Sequence, residues 1–153
     1  MSEPNYAANI IVTLASLPEF LRKPMLSARV SEFPRLPKNE QVDVIHHALD
    51  ASPTIPFDKF STLLQTWLEV VSEQEAEDRR VLLEAYASEI LSNPDKLVQL
   101  HMDGIVDVFL GLEPNRQNTI ITTLRMILSD MDDNDKSKLI ALTPESIKQI
   151  LDI

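Results

Sequence analysis

Cysteine is absent from the 153-residue chain, and glycine occurs only twice. Without thiols the chain can form no disulfide, no thiolate nucleophile and no thiolate zinc site. Few glycines leave few positions for tight hairpins and phosphate-binding loops, because both need positive φ or close backbone approach. The composition therefore disfavours a sheet protein and a nucleotide-binding α/β fold.

A long hydrophobic run and an excess of basic residues are also missing. The opening Met-Ser-Glu-Pro-Asn has no basic region ahead of an apolar core, so we predict no signal peptide. No apolar run approaches the ~18 residues of a membrane helix, which predicts a soluble cytoplasmic protein without membrane insertion. The net charge of −10 repels phosphate backbones and makes nucleic acid a poor partner.

This charge is unevenly distributed. Residues 1–40 carry five bases and four acids, a net charge of +1, whereas residues 41–153 carry −11. A slightly basic front is suited to an acidic partner or to the acidic body of a second copy, so homo-oligomerisation is left open. The length of 153 residues and the hydrophobic content of 44% suit one globular domain over residues 1–153.

A short motif recurs along the chain at regular spacing. An apolar residue precedes a turn of proline, acid or asparagine, and an apolar pair follows eight and nine positions later; the copies begin at Leu17, Leu36, Leu112 and Met131. Neighbouring copies are nineteen positions apart at both ends of the chain, and the middle offset is four times as large. Such a period indicates stacked helical units, which present surfaces to partners and usually carry no chemistry of their own.

The hydrophobic period predicts helices almost throughout, near residues 4–15, 18–30, 37–51, 56–72, 74–92, 94–102, 104–111, 114–130, 134–141 and 144–152. Pro24 should kink or split the second helix. Short connections predict that neighbours in sequence pack as neighbours in space. We therefore predict an all-α, right-handed superhelical stack of short helices, similar to armadillo or HEAT repeats. The alternative is an irregular helical bundle, for which the helices of 56–92 are long enough.

One apolar stripe runs along the helix predicted at 56–72. Its members follow helical spacing: Phe60, Leu63, Leu64, Trp67, Leu68 and Val71. Such a stripe predicts a place at the centre of the core, with Trp67 as an anchor packed from both sides.

Three groups of polar residues are candidates for a catalytic or metal-binding site. Asp130–Asp135 matches the first ligands of a calcium loop but lacks its glycine and its final glutamate, so we interpret it as an acidic turn that caps the next helix. The adjacent His46 and His47 place their acidic neighbours on different helical faces. Glu75 and Arg79 fit an exposed i,i+4 pair. We therefore assign no catalytic, cofactor-binding or metal-ligating residue, no cofactor and no enzymatic activity.

The run from Leu112-Glu113-Pro114-Asn115-Arg116 to Ile120-Ile121, echoed at 36–45 and 131–140, resembles the repeats of one superfamily. These repeats form the cytosolic N-terminal domain of MgtE-type magnesium transporters and part of the flagellar motor switch protein FliG. The resemblance covers residues 30–50 and 94–152, while the long region 56–92 departs from the pattern. It implies a right-handed superhelix that mediates contacts or helps to sense magnesium. Transport and rotor function do not carry over, because the chain has neither membrane segments nor a second domain.

These observations predict a non-enzymatic cytoplasmic helical-repeat protein that acts as an adaptor or scaffold by binding another protein. The alternative is a soluble sensor of divalent cations or small ligands. That alternative depends on the acidic surface of residues 41–153 and on the cluster at Asp130–Asp135.

Overall fold

The computed structural model describes residues 6–152, with the side chains of that range except those of residues 6–9, Leu97 and Val98. Helix accounts for about 85% of the structure, and residues 6–152 contain no strand. The prediction of an all-α fold is confirmed. The predicted start of the first helix, at residue 4, lies outside the described residues.

The helices are α1 Tyr6–Ser16, α2 Glu19–Glu32, α3 Lys38–Ala51, α4 Phe57–Glu73, α5 Ala76–Ser92, α6 Asp95–Val98, α7 Met102–Leu110, α8 Pro114–Asp130, α9 Asp133–Leu142 and α10 Glu145–Leu151. Two 3₁₀ turns, Phe33–Arg35 and Ser52–Thr54, extend α2 and α3. Most boundaries lie within two residues of those predicted. The helix predicted at 94–102 is much shorter, α6 at Asp95–Val98, because the backbone leaves the helical region before α7, with His101 at ψ 81°.

Seven helix starts fall in a single register with a period of nineteen positions. These are the first residues of α2, α3, α4, α5, α6, α8 and α9, namely Glu19, Lys38, Phe57, Ala76, Asp95, Pro114 and Asp133. We call each segment of the chain that spans one period of this register a unit. The region 56–92, expected to depart from the repeat, consists of two ordinary units: α4 and α5 each span 17 residues, which leaves two for a connection.

Extended residues at the joints separate one unit from the next. Pro18, Pro37, Pro56 and Pro144 each stand immediately before a helix, with ψ between 137° and 153°. A proline pushes the residue before it out of the helical region, so the preceding helix has to end there. Glu113 takes the same conformation before Pro114, and Glu75 and Asp132 take it without a neighbouring proline.

Pro24 neither ends nor divides α2, which continues from Glu19 to Glu32; the predicted split is wrong. Proline removes the one N–H that would bond the carbonyl of Phe20. Both Pro24 and Phe20 are exposed, so water can solvate that carbonyl without breaking the helix.

The main contacts join helices two units apart: α1 with α3, α2 with α4, α3 with α5, α4 with α7 and α5 with α8. Further contacts join units three apart, such as α1 with α4 and α4 with α8. The expectation that immediate neighbours in sequence make the main contacts is therefore wrong. This packing is consistent with a helical stack or a helical bundle, and the right-handed superhelical form stays a prediction.

The centre of the core lies at Ile45, Val70 and Val71, whose exposure is 0%. Trp67 is only partly buried, and its ring meets that of Tyr86 edge-on at a centroid distance of 5.3 Å. The prediction that Trp67 occupies the centre of the core is wrong. Val70 and Val71 are fully buried instead, and Trp67 packs against the edge of the core beside Tyr86.

Candidate interaction surface

A buried arginine in α2 joins this helix to α4. Arg22 is 5% exposed, and its Nε donates a hydrogen bond of 2.9 Å to Oγ1 of Thr66. Its Nη1 donates a second bond of 2.5 Å to the carbonyl of Leu17, at the joint before α2. Both acceptors are neutral, so this guanidinium satisfies buried oxygens rather than forming an ion pair.

The same contacts recur three units later, between α5 and α8. Arg79 donates from Nε to Oγ1 of Thr123 at 2.7 Å and from Nη1 to the carbonyl of Gln74 at 2.8 Å. Burial lowers the pKa of Arg79. The predicted Glu75–Arg79 pair is wrong, because the guanidinium points into the α5–α8 contact rather than along the exposed surface.

An ion pair beside each arginine follows the same three-unit shift. Lys23 lies 3.1 Å from Glu73, and Arg80 lies 2.5 Å from Asp130. Burial raises the pKa of Glu73, but hydrogen bonds and charge from Lys23 and Arg116 outweigh it and leave that pKa below its usual value. The hydrogen bonds that Arg80 donates to Asp130 and Glu84 raise the pKa of Arg80. We conclude that α2 and α5 hold equivalent positions in the stack.

Glutamine takes the place of arginine in two other units. Nε2 of Gln41 donates to the carbonyls of Phe33 and Leu36 at 3.1 and 3.2 Å, and Nε2 of Gln117 donates to those of Leu110 and Leu112 at 3.1 and 2.8 Å. Sequence reasoning missed these residues. Their common position was a readable signal, because Arg22, Gln41, Arg79 and Gln117 are each the fourth residue of their helix.

On α5, one stripe of residues faces the preceding units. Asp78, Leu82, Ala85 and Glu89 share a helical face by their spacing. Asp78 lies 3.5 Å from Arg35, and a carboxylate oxygen of Glu89 lies 2.7 Å from Nε2 of His46. Leu82 and Ala85, between these two contacts, are 3% and 7% exposed. We call these four residues the α5 stripe; α3 and the Phe33–Arg35 turn cover it.

The equivalent stripe on α2 is open. Its residues, three units earlier, are Leu21, Met25, Ala28 and Glu32, which we call the α2 stripe; all four are exposed. Met25 is 47% exposed where its counterpart Leu82 is 3%. Among residues 6–152, no helix takes the position on α2 that α3 takes on α5.

Two further apolar residues enlarge this surface. Phe20 is 75% exposed and Pro24 is also exposed, and both line a shallow hollow with Glu19, Lys23 and Ser27. We call Phe20, Leu21, Pro24, Met25 and Ala28 together the α2 face. Contiguous exposed apolar residues of this kind often mark a functional surface.

The polar residues considered as candidate sites contact different parts of the fold and form no common site. His46 binds Glu89, Asp50 pairs with Lys96, and the ring of His101 lies 4.6 Å from that of Phe57. Asp132 caps α9 by accepting a hydrogen bond from the backbone N–H of Asp135 at 2.8 Å, as the capping interpretation predicted. In the part of the chain that is described, no group of three or more His, Cys, Asp or Glu is placed to hold a metal ion.

Within the described residues, none of the helices combines the length and the apolar character that crossing a membrane requires. Comparisons of the chain with family models, with curated proteins and with solved structures found no match. The resemblance to the MgtE and FliG repeats therefore stays a prediction.

Proposed function

We propose that this protein is a non-enzymatic helical-repeat adaptor or scaffold that binds another protein through the α2 face. The observation that carries the proposal is the exposure of Phe20, Leu21 and Met25 side by side on one helix. A large exposed apolar patch on a protein surface often marks an interaction site. Three large apolar side chains exposed together on one helix therefore favour a surface that a partner covers.

Other features support an interaction role. The polar side chains at the fourth position of four helices stabilise the fold, because they donate hydrogen bonds to backbone carbonyls or threonine hydroxyls: Arg22, Gln41, Arg79 and Gln117. The regular spacing of the units also supports the right-handed superhelix that the sequence predicted, an architecture suited to extended binding surfaces.

The test is quantitative co-purification with a matched pair of variants. Met25→Glu puts a charge into the α2 face. Met126→Glu makes the same change on α8, where the exposure of Met126 is 50% compared with 47% for Met25. A protein recovered with wild type and with Met126→Glu, but lost with Met25→Glu, would support the proposal. Equal recovery with all three proteins would contradict it.

A melting experiment separates this function from the cation-sensor alternative. An adaptor should show equal shifts of melting temperature in magnesium chloride and in sodium chloride of matched ionic strength, because only screening changes. A larger shift in magnesium, abolished when acids of 130–135 are replaced by asparagine, would favour the sensor instead.

A further inference from the structure

We infer that the α2 face receives a single amphipathic helix of a partner protein, docked on α2 as α3 is docked on α5, with a cationic residue beside Glu32. The inference rests on the proposed function and specifies the chemistry of the partner. On the equivalent helix α5, the corresponding surface is covered by another helix, α3.

The equivalence of α2 and α5 depends on contacts that involve neither stripe. The arginine–threonine bond, the arginine–carbonyl bond and the flanking ion pair all repeat three units later. The threonine bond and the ion pair lie toward the following units, α4 in one case and α8 in the other. The opposite sides of the two helices must therefore point in equivalent directions, toward the open surface for α2 and toward α3 for α5.

Differences between the two stripes define the partner's side chains. Glu89 of the α5 stripe lies beside the imidazole of His46, and its counterpart Glu32 is an exposed carboxylate, so we expect a cationic residue of the partner beside Glu32. Asp78 pairs with Arg35, but the counterpart of Asp78 is Leu21, so the partner should be apolar there. Between these ends, aliphatic side chains of the partner would cover Met25 and Ala28, whose counterparts Leu82 and Ala85 are buried on α5.

The size and burial of the surfaces favour a partner helix over a second copy. The α3 helix of another copy is not free to dock, since Ile45 and Leu49 are 0% and 6% exposed in its own stack. The α2 face consists of five residues of one helix, far fewer than the ~20–30 residues per side of a standard stable interface. A single docked helix fits such an area, and its binding should be reversible.

The probe is a fluorescent peptide made from residues 33–52 of this chain, whose native place is on the α5 stripe. It carries Arg35→Leu to suit Leu21 and His46→Lys to suit Glu32. A lactam between Asn39→Lys and Asp43, both exposed in α3, holds it helical away from the contact. A scrambled peptide of the same composition is the control.

Fluorescence anisotropy with the full chain measures binding. The peptide should bind wild type and Met126→Glu with the same affinity, and Met25→Glu at least tenfold more weakly, or about 1.4 kcal/mol. No binding to wild type, or equal binding of the scrambled peptide, would overturn the inference.

A charge exchange tests the docking register. Wild type should prefer the His46→Lys peptide over a His46→Glu peptide by several-fold, and Glu32→Lys should reverse that preference. Unchanged preference in Glu32→Lys would overturn the placement of the cation. The exposed position of Glu32 makes loss of folding an improbable explanation, and circular dichroism of each variant checks it directly.

The outcomes separate this inference from the proposed function. If co-purification depends on Met25 but the peptide does not bind, the adaptor function stands and the helix inference fails. If the peptide binds as expected but no partner is recovered with wild type, the surface is as inferred and the adaptor function fails. Self-association in sedimentation that Met25→Glu abolishes would identify a second copy as the occupant and overturn the inference.

Discussion

Replacing Arg22 by methionine should lower the free energy of unfolding by about 2–4 kcal/mol, because Arg22 donates hydrogen bonds to Thr66 and to the carbonyl of Leu17. Bonds with a charged partner contribute about 1.5–3 kcal/mol each. Methionine leaves both acceptors without this donor but keeps an apolar stem of similar length, which offsets part of the loss. The result should be a large fraction of the ~5–15 kcal/mol that stabilises a domain.

A double-mutant cycle isolates the Arg22–Thr66 bond. Thr66→Val keeps the side-chain shape and leaves Nε of Arg22 unpaired where it is buried, which should cost about 1–3 kcal/mol. Because both single variants break the same bond, the double variant should be more stable than the sum of the two losses predicts, by about 1.5 kcal/mol. Urea unfolding followed by Trp67 fluorescence measures all four free energies.

Two controls accompany this cycle. Arg29→Met changes an exposed arginine of the same helix and should alter the free energy of unfolding by less than ~0.5 kcal/mol. Arg79→Met, at the equivalent but less buried position, should cost less than Arg22→Met. A coupling energy between Arg22 and Thr66 below about 0.5 kcal/mol, the level at which independent sites simply add, would refute the reasoning. Equal losses from Arg22→Met and Arg29→Met would refute it as well.

Three further changes test other parts of the fold. Burial raises the pKa of Tyr86 to about 12, so the folded state should favour the neutral phenol. This preference should contribute up to about 3 kcal/mol to the free energy of unfolding below pH ~10, and the contribution should be lost as the pH rises toward ~12. Tyr86→Phe should remove this pH dependence, and two phenolate titrations with ordinary midpoints would contradict it. Gly104→Ala should destabilise by about 1 kcal/mol in thermal melts, because its new Cβ would overlap the ring of Phe57, and should turn stabilising in a Phe57→Ala background. Asp132→Ala should cost about 1 kcal/mol as the cap of α9 is lost, whereas Asp132→Asn should cost well under that; equal losses would disprove the capping role.

The repeat could be read further from the sequence than the motif itself allowed. Leu17, Leu36, Leu112 and Met131 marked the register, and Ile55-Pro56 and Asn93-Pro94 stand at its intermediate positions. Only Gln74, which has neither the apolar character nor the following proline, breaks the local pattern. The helix that follows Gln74 nevertheless begins in register, at Ala76.

The candidate surface was not predictable from the local pattern. Leu21 and Met25 have the same helical spacing as Asp78 and Leu82, and apolar periodicity does not show which side of a helix finds a neighbour. Trp67 illustrates the same limit: complete burial falls to Val71 at the end of its stripe and to Val70, which lies outside the stripe, whereas Trp67 itself is only partly buried. Which apolar residues are buried in the core depends on which helices of other units pack against them.

By itself, the sequence determined the helical class, most helix boundaries and the period of the repeat, because each depends on interactions within one unit: apolar spacing, joint prolines and helix caps. Tertiary structure alone decided that helices pack on their second and third neighbours, that Arg22 and Arg79 bond threonines two units away, and that the α2 stripe is open. Those outcomes depend on the angle at every joint, and small local differences in angle accumulate along a stack into the choice of which faces meet.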